Sequence, residues 1–112
     1  MRYAVPTSGG MIAQHFGHCE KFVIFDINEE KKEIVGKEML TPPGHEPGVL
    51  PAWLAEQGAS VIIAGGMGSR AQMLFAENRI QVAVNVVETD PEKAVKAYLD
   101  GLLEVGDAVC DH

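Results

Sequence analysis

Three short stretches of this chain hold most of its chemically versatile side chains. His15-Phe16-Gly17-His18-Cys19 sets two imidazoles beside a thiol, and Cys110-Asp111-His112 supplies a second soft pair far along the chain. Imidazole nitrogen and thiolate sulfur suit iron, copper, zinc and metal–sulfur species, so His15, His18, Cys19, Cys110 and His112 are the candidate metal ligands. A C-x-x-C pair is missing, which disfavours a closed structural zinc site or a cysteine-rich iron–sulfur cage. The competing view makes Cys19 a small packing residue and the histidines polar surface. The third stretch is Gly65-Gly66-Met67-Gly68-Ser69-Arg70, read as a turn from a buried strand into a helix. Glycines let backbone N–H groups approach an anion closely, the helix N-terminus adds partial positive charge, and Arg70 adds a full one. Gly65, Gly66, Gly68 and Arg70 are therefore candidate binding groups. Met67 is either a soft contact or ordinary packing. The same glycines also suit a tight turn with no ligand at all.

Catalytic constellations are weaker. There is no G-x-S-x-G elbow, no H-E-x-x-H and no Walker-type G-x-x-x-x-G-K-[ST]. Asp26 reads as an edge or turn carboxylate. Gly66-Met67-Gly68-Ser69-Arg70-Ala71 matches G-x-G-x-x-A, with Glu88 about where a ribose-binding acid belongs. A dinucleotide spans two mononucleotide halves, however, and only one strand follows this turn.

The elements that position these groups follow from periodicity. Tyr3-Ala4-Val5 opens a strand that Pro6 and Ser8-Gly9-Gly10 are expected to end. Phe22-Val23-Ile24-Phe25-Asp26-Ile27 is a β-branched and aromatic strand, and a polar turn leads into its hairpin partner, Ile34 through Leu40. After a Pro/Gly-rich loop at 41–48, Val49, Leu50, Trp53 and Leu54 fall on one helical face, with Gly58 as the stop. Val61-Ile62-Ile63-Ala64 and Val82-Ala83-Val84 read as buried parallel strands. Between them a helix runs from Ser69 to Glu77 with Asn78 as its end. Asp90-Pro91 starts a last helix, capped by Asp90 or by a Thr89/Glu92 box, with Val95, Tyr98, Leu99 and Leu102 as its stripe. The order is β-β-β-α-β-α-β-α, a single-domain α/β fold over 1–103 with a tail at 104–112. A meander of the first three strands followed by right-handed crossovers opens loop 7–21, loop 41–48 and the glycine turn on one sheet edge. His15, His18, His45, Cys19 and the glycines then share that edge, joined by Lys21.

Composition restricts the partners. The chain has 112 residues, 46% of them hydrophobic, which suits one globular domain. Nine basic against 16 acidic residues give a net charge of −7, a poor match to nucleic acid or anionic membranes. No apolar run approaches the roughly 20 residues of a membrane span. The first residues are too few and too strand-like for a signal peptide, so a cytoplasmic protein with reduced thiols is expected.

The segments His15-Phe16-Gly17-His18-Cys19 leading into Phe22-Val23-Ile24-Phe25-Asp26, and Ile63-Ala64-Gly65-Gly66-Met67-Gly68 leading into a helix, resemble the dinitrogenase iron–molybdenum cofactor biosynthesis family. The likeness covers nearly the whole chain, and the ending Cys110-Asp111-His112 also looks like the family's His- and Cys-rich tails. The resemblance implies a ribonuclease-H-like fold without nuclease activity. In agreement, Tyr3-Ala4-Val5 offers no carboxylate where a metal-binding one is needed. It further implies a non-enzymatic carrier of an iron–sulfur or iron–molybdenum–sulfur cluster, working with cofactor-assembly proteins. The alternatives are an enzyme using a nucleotide or small anion at the glycine turn, and a regulatory scaffold domain.

Overall fold

The computed structural model describes residues 1–14, 16, 19–43 and 49–103. Its elements run β1 (Arg2–Ser8), β2 (Met11–Ile12), β3 (Lys21–Asn28), β4 (Glu33–Leu40), α1 (Val49–Glu56), β5 (Ala59–Ile63), α2 (Ser69–Glu77), β6 (Gln81–Ala83) and α3 (Pro91–Leu99). The sheet order is β4-β3-β1-β5-β6, with β2 paired to β1 off that path. β3 is antiparallel to both β1 and β4, while β5 and β6 run parallel to β1. The expected single α/β domain with a mixed sheet is therefore present.

Why the central strands read as nearly unbroken apolar runs is clear from the two cores. Ala4, Phe22, Ile24 and Ile62 face Leu50, Leu54 and Phe75 on the α1/α2 side. Their neighbours Tyr3, Val5, Val23, Phe25, Val61 and Ile63 face Ala94 and Val95 of α3. Successive strand residues point to opposite faces, and both faces are covered.

The helix ends behave as their residues dictate. The Asp90 carboxylate accepts from the Glu92 and Lys93 amides at 2.9 and 3.4 Å, so the cap is Asp90 and not a Thr89/Glu92 box. Gly58 follows α1 in the left-handed region at φ +83°, and Asn78 caps the end of α2.

Three expectations are corrected. β1 does not end at Pro6 but continues to Ser8, with Pro6 opposite Phe22. The Pro6 carbonyl accepts from the Ala13 amide, so that residue's polar edge points away from β3, past the last β1–β5 pair at Ala4. A missing N–H there breaks no ladder bond. Gly9 and Gly10, both at positive φ, turn the chain into the short strand β2, so the segment expected as loop 7–21 contains a strand. Leu102 is not part of the α3 stripe: the helix ends at Leu99, Gly101 turns at φ +74°, and Leu102 is exposed while Leu103 packs inward.

Arg2 ties the lower part of the sheet together. Its Nε is 3.0 Å from Asp26 Oδ1, one terminal nitrogen is 3.0 Å from Glu38 Oε2, and the other donates to the Gln57 carbonyl. Asp26 is thus half of a cross-strand ion pair. Gly36, opposite it in β4, would set a Cβ 3.1 Å from Asp26 Oδ2.

Candidate functional site at the sheet edge

The C-terminal ends of β1, β5 and β6 share one edge because those strands are parallel. Beyond it the backbone stays paired. The Gly66 amide donates to the Gln14 carbonyl at 2.6 Å and the Phe16 amide to the Gly66 carbonyl at 2.8 Å. On the other side, Asn85 N–H reaches the Gly65 carbonyl at 2.9 Å and Val86 N–H the Ala64 carbonyl at 3.1 Å. Three segments, 13–16, 64–66 and 85–86, therefore lie side by side past the end of the sheet. The expected meeting of the histidine-bearing loop with the glycine turn occurs through its described residues Gln14 and Phe16.

Phe16 explains how that loop is held. Its ring packs edge-on to Phe75 with centroids 5.3 Å apart and to Phe22 at 6.2 Å. This aromatic anchor seats Phe16 itself against the α1/α2 core. His15, Gly17 and His18 lie outside the described residues, as do His45, Cys110 and His112. The loop following β4 begins at the same edge, where Lys21 Nζ donates to Thr41 Oγ1 at 2.6 Å.

The glycines of the turn have separate jobs. A Cβ on Gly65 would sit 2.6 Å from the Ala13 carbonyl oxygen and 2.8 Å from that of Gln14. Gly65 is glycine so that two backbones can touch, and the space a ligand was expected to use there is filled by the chain itself. The Gly66 amide is likewise spent on Gln14. Gly68 differs: it is exposed, and nothing lies within 4 Å of where its Cβ would be. It is the N-cap of α2, and no side chain caps that end. The first-turn amides of α2 therefore have neither a side-chain cap nor an intrahelical acceptor, and the exposed Arg70 belongs to the same turn. Gln72 steadies the turn, its Nε2 donating to the Met67 carbonyl at 3.0 Å.

The sulfur atoms of Met67 and Cys19 are directed elsewhere. Met67 and Cys19 are each 4% exposed and belong to the core cluster around Phe22 and Phe75. Burial pushes the Cys19 thiol up to about 11, against a smaller opposing effect of a backbone hydrogen bond, so at neutral pH it is a protonated packing group. Among the described residues no three His, Cys, Asp or Glu side chains gather to hold a metal ion. Glu88 is also not free for a ribose, because its carboxylate accepts from the Thr89 and Asp90 amides at 2.9 and 3.0 Å. No helix among the described residues is long and apolar enough to cross a membrane.

The 85–86 segment was missed from sequence. Its signal was Asn85, a residue tolerant of the left-handed region, which it occupies at φ +58° directly after β6.

A family model described as dinitrogenase iron-molybdenum cofactor matches residues 1–101. An uncharacterized protein of Methanocaldococcus jannaschii is 33% identical over 109 residues, covering 93% of this chain and 90% of that protein. The crystal structure of a protein named PH0822 superposes with a TM-score of 0.83 at 30% identity, over 95% of this chain and 96% of the other. The apo form of the orange protein from Desulfovibrio gigas gives a TM-score of 0.73 at 24% identity, over 94% and 92% of the two chains.

Proposed function

The chain belongs to the dinitrogenase iron-molybdenum cofactor family, and from that premise we propose that it binds and carries an anionic metal–sulfur cluster, iron–sulfur or iron–molybdenum–sulfur, without catalysing a reaction. The observation that carries this reading is the double hydrogen bond of Gly66 to Gln14 and Phe16. It joins Gln14 and Phe16, which flank His15 in sequence, to Gly66, two residues before the Gly68 N-cap of α2, where no side chain caps the helix. Amides of the first turn of α2 and the Arg70 guanidinium stabilise the negative charge of the cargo, and the imidazoles of His15 and His18 supply exchangeable ligands. Cys19 and Met67 hold the loop and turn in the core and take no part in ligation. Weak ligation suits a carrier, because cargo that is never released is of no use to a recipient. Cys110 and His112 are secondary donors in this scheme. The cargo is received from and passed to cofactor-assembly proteins in the cytoplasm.

A ribonuclease-H-like class for the fold belongs to the same proposal, without nuclease chemistry, since β1 presents Tyr3, Ala4 and Val5 in place of a carboxylate. The test is anaerobic reconstitution with iron, sulfide and molybdate, followed by absorption spectra and metal analysis after desalting. The wild-type chain retains metal with sulfide-to-metal charge-transfer bands. His18→Ala and Arg70→Gln retain less, and Cys19→Ser retains as much as wild type. Wild-type protein that emerges without metal overturns the reading, as does full retention by both His18→Ala and Arg70→Gln.

A further inference from the structure

At the opposite edge of the sheet lies an open cavity of about 450 Å³, lined by the starts of β1, β5 and β6, the β3–β4 turn and the end of α3. Tyr3 and Thr7 lie one residue inside the two ends of β1, so roughly 13 Å of strand separates this cavity from the glycine edge. Its size falls within the usual range for small-molecule sites. The walls divide by chemistry. Tyr3 and Tyr98 form one wall, their rings edge to face with centroids 5.4 Å apart. Lys32, from the β3–β4 turn, and Arg79, from the segment before β6, line the cavity from opposite sides, with Glu29 as the acidic side chain in the lining.

Several details make this more than a gap. In a chain of net charge −7, two cations meet one anion here, and neither Lys32 nor Arg79 has an ion-pair partner among the described residues. Both stand in the left-handed region, at φ +52° and +61°, where glycine or asparagine is the relaxed choice. Such outliers commonly serve a function. The Tyr3 residue is 6% exposed, and its hydroxyl, which makes no hydrogen bond among the described residues, is open to solvent at the cavity and not buried without a partner. Burial, with Tyr98 and Glu29 nearby, raises the pKa of Tyr3, so the phenol stays an O–H donor at neutral pH. Tyr98 Oη donates to Gln81 Oε1 at 3.3 Å, which orients that amide and leaves its NH₂ group for another acceptor. The helix dipole of α3 does not oppose an anion strongly here. The carbonyls of Lys96, Ala97 and Tyr98 are already bonded by the amides of Asp100, Leu102 and Gly101.

We propose that this cavity is a second binding site, for a small phosphorylated molecule with an aromatic body, its phosphate between Lys32 and Arg79 and its ring against Tyr3 and Tyr98. The site is independent of the cluster-carrying reading and stands or falls alone. The test is a ¹⁵N NMR titration of the full chain with phenyl phosphate, with inorganic phosphate and phenol as controls. Phenyl phosphate is expected to shift the amides of Val61, Gln81 and Tyr98 saturably, and to bind at least about tenfold more tightly than either control. The Lys32→Gln/Arg79→Gln double variant, altered only at exposed positions, is expected to lose about tenfold or more in affinity while melting as wild type. Tyr98→Leu is expected to lower affinity for phenyl phosphate and leave that for inorganic phosphate unchanged. The site is overturned if no saturable shift occurs, if the shifts fall on 65–70 instead, if inorganic phosphate binds as well as phenyl phosphate, or if the double variant binds unchanged.

Discussion

Gly65→Ala is the most informative single substitution in the edge, because its cost is set by contacts with backbone. The new methyl would lie 2.6 Å from the Ala13 carbonyl oxygen and 2.8 Å from that of Gln14, closer than carbon and oxygen approach without displacement. Gly65 is not at positive φ, so alanine is conformationally acceptable there and on its own returns about 0.5 kcal/mol by stiffening the unfolded chain. Segment 13–16 must move away, and the bonds Gly66 N–H to Gln14 and Phe16 N–H to Gly66 go with it. Two backbone hydrogen bonds at about 1 kcal/mol each give a loss of about 2 kcal/mol. The net is about 1.5 kcal/mol, or roughly 6 °C in melting temperature for a domain of this size. Thermal unfolding measures the total, and amide exchange at Phe16 and Gly66 locates it. Gly68→Thr is the matched control, because no atom lies within 4 Å of its added Cβ and threonine is about as good an N-cap as glycine, so little change is expected. If Gly65→Ala melts as wild type with Phe16 still protected, the close packing of loop on turn is wrong, and so is the argument built upon it.

Three further outcomes follow from the Asp90 cap and the burial of Cys19. Asp90→Ala removes the carboxylate that accepts from Glu92 and Lys93, and is expected to cost about 1 kcal/mol, read as a lower denaturant midpoint with an unchanged slope. Cys19 in a Cys110→Ser background is expected to react with a thiol reagent at neutral pH about a hundredfold more slowly when folded than when unfolded, since its thiolate is scarcer by the difference between about 11 and 9.0. The same thiol gives stability a pH dependence of known sign. The folded state holds the proton more tightly, so its contribution is intact below pH 9 and declines as pH rises towards 11. A Cys19→Ser chain is expected to lose that decline, and urea midpoints across this range check it.

Much of the fold was legible because each central strand is buried on both sides and so leaves a run such as Val61-Ile62-Ile63 in the sequence. Asp90, Gly58 and Asn78 were legible as helix punctuation, because their roles are local. What depends on contacts distant in sequence was harder to see. Pro6 resembles a strand terminator until the β1–β5 pairing is known to stop at Ala4, leaving the missing N–H beside no ladder. Cys19 and His18 are adjacent in sequence and look like a ligand pair, yet the Cys19 side chain belongs to the core. Gly65 and Gly68 are the same residue three positions apart. Only the approach of Ala13 and Gln14 shows that Gly65 serves packing while Gly68 keeps an opening.

Gly68→Asp tests the carrying role most directly, because it places a carboxylate where the α2 amides await an anion and scarcely disturbs the fold. Aspartate is a slightly better N-cap than glycine, by a few tenths of a kcal/mol. Iron, molybdenum and sulfide are to be quantified per chain after anaerobic loading of wild type and variant. The account predicts metal and sulfide held by the wild-type chain and lost from a Gly68→Asp chain that melts at least as high. Equal loading of the two, with the variant folded, would contradict it.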